Sequence, residues 1–180
     1  MKDHIMDSDK AEMLEEKDRY KILSREEILA NIEEGETVAD IGSGTGFFTD
    51  DMAEKAGKVY AIDFQEEMHQ YYREKGLPAN VELIHSKASE IKIRDIDTVF
   101  SILSLHEINL EKSLEAFEKA LNEEGGLFIV DWSQNAETEN IPPREKLFTA
   151  QEPSEKISDY FKVEKSVERY DTFRIKASNT

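Results

Sequence analysis

The chain has 180 residues, no cysteine, and 40 acidic against 23 basic side chains, for a formal charge of −17. That length suits one domain with a sizeable core, and the lack of cysteine excludes disulfides, thiolate metal sites and cysteine nucleophiles. The negative charge repels polyphosphate backbones and anionic membranes, so neither nucleic acid nor membrane is an expected partner.

The opening MKDHIMDSDK lacks the apolar segment of a signal peptide, and no run approaches the ~18 apolar residues of a membrane span. A soluble cytoplasmic protein is expected. Residues 1–10 read as a frayed start, 11–34 as N-terminal helices and 36–180 as the core of a single domain. The stretch before Ser24 is charged, with Met13, Leu14, Tyr20, Ile22 and Leu23 interspersed, and offers little material for a substrate lid. Ser24 and Glu27 form a capping-box pattern, Ile28, Leu29 and Ile32 give a narrow apolar stripe, and Gly35 stops the helix.

Apolar runs then alternate with helical spacing: strand 37–41, helix 45–56, strand 58–62, helix 65–75, strand 80–85, strand 97–102, helix 110–122 and strand 126–131. Repeated strand-helix units imply a parallel sheet covered on both faces, which is why VYAI, VFSIL and LFIV are continuously apolar. A helix near 153–161 follows, then two β-runs turning near Tyr170 and Asp171, an antiparallel pair. The expected fold class is α/β: a Rossmann-like, doubly wound, mostly parallel sheet in an α/β/α sandwich, closed by that C-terminal pair.

Ligands of such sheets lie beyond the carboxyl ends of the strands, where strand order reverses. One of those ends carries VADIGSGTGFFT, residues 38–49. A glycine loop before a helix ordinarily suits a phosphate. Here no Lys-Ser or Lys-Thr follows Gly46, the position a dinucleotide fingerprint would give to glycine is Phe47, and Asp40 would repel a pyrophosphate. A ligand carrying positive charge fits better. Asp63 ends VYAI, 21 residues after Gly42, the spacing at which a carboxylate can accept hydrogen bonds from both ribose hydroxyls. Phe64 beside it reads either as a face for a purine or as packing. The crevice would thus take an amino-acid moiety at one end and an adenosine-type group at the other.

VADIGSGTGFFT, VYAIDFQEEM, IDTVFSILSLHEI and GGLFIVDW together resemble the class I S-adenosylmethionine-dependent methyltransferases, in particular the small-molecule type 11 group, from about residue 20 onward. The resemblance implies a seven-stranded sheet with an antiparallel last strand, S-adenosylmethionine as cofactor and a small-molecule acceptor. It implies that Asp40 and the backbone of Gly42, Ser43, Gly44 and Gly46 surround the methionine part, that Asp63 takes the ribose, and that Ser101 lies near the methionine. Lys87 and Ala88 stand where the family often has Asp-Ala. Lysine cannot accept a hydrogen bond from the adenine amino group, which leaves the Ala88 N–H to serve adenine.

A sulfonium brings its own activated methyl, so alignment and exclusion of water suffice and no dedicated catalytic residue is required. If a base is used, His106 in SLHEI is the best placed of the four histidines, with the orientation of its own loop as the plainer role. Trp132 reads either as a wall of the acceptor pocket or as packing. His69 is expected to face solvent, and the pairs Asp50-Asp51 and Glu123-Glu124 read as solvated helix surface. DSDKAEMLEEKD fails as a calcium loop because Ala11 and Glu12 stand where a ligand and the turning glycine belong, so no metal is expected. Two other functions share these features: a catalytically silent cofactor-binding module, and a nicotinamide-dependent oxidoreductase, which conflicts with Asp40 and Phe47.

Overall fold

The computed structural model describes residues 12–180, so His4 and the expected frayed start lie outside the described residues. Strands β1 (Thr37–Ile41), β2 (Lys58–Asp63), β3 (Val81–His85), β4 (Ile96–Ile102), β5 (Leu121–Trp132), β6 (Lys162–Arg169) and β7 (Thr172–Ser178) form one sheet. Their order is β3-β2-β1-β4-β5-β7-β6, parallel through β5, with β7 antiparallel to both β5 and β6. The order reverses between β1 and β4, and that switch point opens the crevice.

Side chains alternate across the sheet. Ala39, Ile41, Val99, Leu127 and Ile129 join one core; Val38, Phe100, Phe128 and Val130 join the other. The first core is covered by α4 (Leu110–Ala120) and α5 (Gln151–Ser158), the second by α1 (Arg25–Leu29) and α2 (Phe47–Ala53). An α/β/α sandwich results because a parallel strand is apolar on both sides. At α1 the capping box is complete: the Glu27 amide donates to Ser24 Oγ at 3.2 Å and the Ser24 amide to Glu27 Oε2 at 3.4 Å.

Three expectations need correction. Residues 12–14 are helical and Lys17–Lys21 form a separate 3-10 stretch, so among the described residues the segment before Ser24 is not one continuous helix. The helix expected to reach 122 ends at Ala120 and β5 begins at once, because Leu121 pairs with Ile96 of β4 and the sheet outcompetes helical periodicity. His69, on α3 (Glu66–Lys75), is fully buried rather than solvent-facing, since it shares the inner face with Met68 and Tyr72. The acidic pairs divide likewise. Asp51 is buried and accepts a hydrogen bond from Tyr20 Oη at 2.9 Å, Asp50 accepts one from Tyr72 Oη at 2.6 Å, and Glu123 and Glu124 are exposed on β5 rather than on a helix.

Candidate functional site

A cavity of about 520 Å³ opens at the switch point, within the usual range for a cofactor site. Its floor is the loop segment from Asp40 to Gly44. Gly42 has φ +71° and lies so close to Ser104 that an added Cβ would sit 2.4 Å from the serine Cβ. Gly46 caps α2 with φ +84°, packed on the Tyr72 ring. Both positions demand glycine for conformation and for space.

The loop's amides are spent mostly on the end of β2. Gly42 and Ser43 both donate to the Ile62 carbonyl at 2.8 and 3.0 Å, Gly44 donates to Asp63 Oδ2 at 2.9 Å, and Gly46 donates to the Ser43 carbonyl at 2.9 Å. A phosphate-binding turn aims such groups at its ligand. This turn aims them inward and leaves carboxylates at the cavity. The ligand it suits is not an anion.

Asp40 lies at the base, 3% exposed, and accepts a hydrogen bond from Thr49 Oγ1 at 2.6 Å. Burial pushes its pKa up to about 7, against the Thr49 hydrogen bond and the charge of Arg19, with Asp63 adding to the rise. Its ionised form therefore wants a cation nearby. Asp63 is raised as well, by burial, while the Gln65 and Gly44 amides hold it down; Gln65 donates to Oδ1 at 2.9 Å. Each of its oxygens keeps acceptor capacity on the cavity side, enough for a pair of hydroxyls. Ser43 Oγ is buried without a hydrogen-bond partner among the described residues, a polar atom left for a ligand.

The cavity is lined by Asp40, Gly42, Ser43, Gly44, Asp63, Phe64, Ala88, His106 and Trp132 from the sequence-derived set. Gly46, Lys87 and Ser101 are not on it. Lys87 is exposed; Ser101 is buried and exchanges a 2.9 Å hydrogen bond with Ser104 Oγ, which in turn donates to the Ile41 carbonyl at 2.7 Å, so it braces the loop from behind.

At the far end, His106 Nδ1 lies 2.9 Å from Asp131 Oδ1, and the His106 amide donates to Asp131 Oδ2 at 2.9 Å. Asp131 ends the apolar LFIV run, is 1% exposed, and also accepts from the Trp132 amide at 2.7 Å. Burial alone would lower the His106 pKa, but the hydrogen bond and charge of Asp131, with Glu107 adding and Lys146 opposing, leave it raised. With Nδ1–H donated to the carboxylate, Nε2 carries the lone pair of the neutral ring. Ile141 and Pro142 complete this end.

The stretch before Ser24, expected to offer little material for a substrate lid, does reach the cavity: Met13, Leu14, Arg19 and Ile22 line it. Thr45 Oγ1 donates to Glu15, Lys75 Nζ lies 3.1 Å from Glu15 Oε2, and Tyr20 reaches Asp51. Arg19 and Asp131 are the residues that sequence reasoning missed. Asp131 carried a signal, an aspartate closing a parallel strand as Asp40 and Asp63 nearly or wholly do. Arg19 carried none, because only the tertiary fold brings it to the crevice.

Comparison with known proteins gives this geometry its name. A crystal structure of an S-adenosylmethionine-dependent methyltransferase from Aquifex aeolicus superposes with a TM-score of 0.87 and 31% identity, covering 97% of this chain and 100% of that one. The chain belongs to the class I S-adenosylmethionine-dependent methyltransferases. A family model described as "Methyltransferase domain" also matches residues 38–125 of this methyltransferase, and S-adenosylmethionine is its cofactor. Over 82 residues it is 35% identical to the "Probable ribosomal RNA small subunit methyltransferase A" of Thermococcus sibiricus, a match covering 46% of this chain and 30% of that protein. It is also 32% identical over 116 residues to phosphoethanolamine N-methyltransferase 1 of Triticum aestivum, covering 58% and 23%. The methyltransferase thus spans less than a third of the length of these curated relatives.

The ribosomal RNA methyltransferases overturn one expectation, that nucleic acid is excluded as a partner. Net charge governs long-range attraction of the whole chain. It does not decide what a local surface, or a region outside the matched residues, can hold. Among the described residues no helix is long and apolar enough to cross a membrane.

Proposed function

We propose that this methyltransferase passes the methyl group of S-adenosylmethionine to an acceptor that enters beside His106, Trp132 and Pro142, and that His106 removes the acceptor's proton. The observation that carries the reading is one cavity with two unlike ends: Asp40 and Asp63 at one, the His106–Asp131 pair at the other. When bound, S-adenosylmethionine supplies an activated methyl on a cationic sulfonium. Asp40 faces the cationic methionine part, Asp63 accepts from the ribose hydroxyls, and Phe64 lies against the purine with the Ala88 amide at its edge. Lys87, exposed and off the cavity, has no part in it.

Asp131 fixes the His106 tautomer, so that Nε2 accepts the proton as the acceptor's nucleophile is methylated. Such a base contributes about 10²- to 10⁴-fold. The strap 12–22 and the apolar wall of Phe48, Ile102 and Leu103 exclude water.

A small molecule with an ionisable N–H or O–H is the acceptor this mouth fits first, consistent with the likeness to a phosphoethanolamine methyltransferase. An RNA base is the second reading, favoured by the likeness to ribosomal RNA methyltransferases. Methyl-labelled S-adenosylmethionine offered with a panel of small amines and phenols, and separately with ribosomal RNA, decides between them. Label on a small acceptor supports the first reading, label on RNA alone replaces it with the second, and label on neither sinks both.

A further inference from the structure

The strap over the cavity holds a cation that the reaction so far does not use. Arg19 is the one lysine or arginine side chain on the cavity wall among the described residues. Its guanidinium lies 4.6 Å from the Phe48 ring centroid and 5.3 Å from that of Phe47, within cation-π reach of both rings. Among the described residues, one of its five N–H donors is bonded, Nη1 to the Leu14 carbonyl at 2.9 Å, and no carboxylate forms an ion pair with it. Yet it sits near enough to Asp40 for each to shift the other's titration. A half-buried arginine with spare donors, placed near a buried carboxylate without bonding it, leaves room for a group that carries both charges.

We propose that Arg19 receives the carboxylate of the cofactor's amino-acid end while Asp40 faces its ammonium, so that residues 12–22 act as a strap that closes on a zwitterion. This rests on the cofactor reading above and assigns a residue and a segment to it. Burial pushes the Arg19 pKa down to about 10, which leaves it cationic at neutral pH. The strap is otherwise held by Glu15 to Thr45 and Lys75, by Tyr20 to Asp51 and the Phe47 ring, and by Arg174, which donates to the Ile22 carbonyl at 3.0 Å. A ligand carboxylate bonded to Arg19 adds a tie at the strap's centre, so donor and demethylated product, which share that end, are held alike. A ligand without the carboxylate leaves the strap with its existing ties alone.

The test measures dissociation constants by calorimetry for S-adenosylmethionine and for its decarboxylated form, which keeps the sulfonium, the ribose and an ammonium but lacks the carboxylate. The wild type is expected to bind the first about 10- to 100-fold more tightly, the discrimination of a charge-assisted bond. Arg19→Gln removes that preference by weakening the first ligand alone, Arg19→Lys restores part of it, and Asp40→Asn weakens both ligands together. Equal affinity of the wild type for the two ligands overturns the inference, and so does an Arg19→Gln variant that weakens both alike, which marks Arg19 as a brace for the strap. Binding of neither ligand by the wild type removes the cofactor reading, and this inference with it. The wild-type comparison stands even where a variant fails to fold.

Discussion

The two halves of the sheet build their ends of the cavity in different ways. On the β1-β2-β3 side, the site is made by backbone: glycines that turn where no other residue can, amides satisfied by the end of β2 and by the loop, and carboxylates at the ends of neighbouring parallel strands. On the β4-β5 side it is made by one side-chain pair, His106 after β4 and Asp131 at the end of β5, 25 residues apart in sequence. The first half carries the contacts proposed for the cofactor, and the second carries the pair proposed to act on the acceptor.

Separate changes should break the halves independently. The largest effect is expected from His106→Ala, which should lower kcat by about 10²- to 10⁴-fold while the dissociation constant for S-adenosylmethionine, measured by calorimetry, moves little. A matching fall in cofactor affinity would mean that the two ends are not separable. Next is Asp63→Ala, which removes the acceptor of two hydroxyl bonds and should weaken the cofactor about 100-fold in the same titration.

Asp131→Asn sharpens the contrast through pH. His106 is a base only when deprotonated, and Asp131 raises its pKa, so activity should fall as pH drops through that raised value. Loss of the charge lowers the His106 pKa, so the acid limb of the kcat profile should move to lower pH and the maximum should drop, roughly 10-fold. A profile that stays in place would reduce Asp131 to a loop brace.

The smallest effect concerns stability. Asp40 is raised from 3.8 to about 7 on folding, so the folded state binds more protons than the unfolded. Its contribution is present below the unfolded value and is lost as pH rises through about 7. Asp40→Asn escapes that loss, so without ligand its Tm at pH 8 should exceed the wild type's by a few degrees, while cofactor binding suffers. A lower Tm at pH 8 would show that the Thr49 hydrogen bond to an ionised Asp40 matters more than burying the charge.

The same division explains what could be read from sequence. The strand ends, and the place of the glycine loop, Asp40 and Asp63 on the cavity, are legible because they follow from local spacing and from where parallel strands stop. Ser101 was placed on the right strand but behind the loop rather than on the cavity, a matter of which face its side chain takes. His69 was misjudged because its helix buries a wider face than the pattern of apolar residues marks. The 12–22 strap was illegible: a charged stretch with scattered apolar residues has no periodicity of its own, and only the crevice beneath gives Arg19 and Leu14 something to close on.

The proposed function depends on a crevice whose amides turn inward and whose carboxylates are free to meet a positively charged nucleoside. Parallel calorimetric titrations of the wild type with S-adenosylmethionine and with NAD test this most directly. Saturable binding of the sulfonium nucleoside, no heat with the dinucleotide, and loss of the first on Asp40→Asn is the predicted result. Binding of NAD, or sulfonium binding indifferent to Asp40, would contradict it.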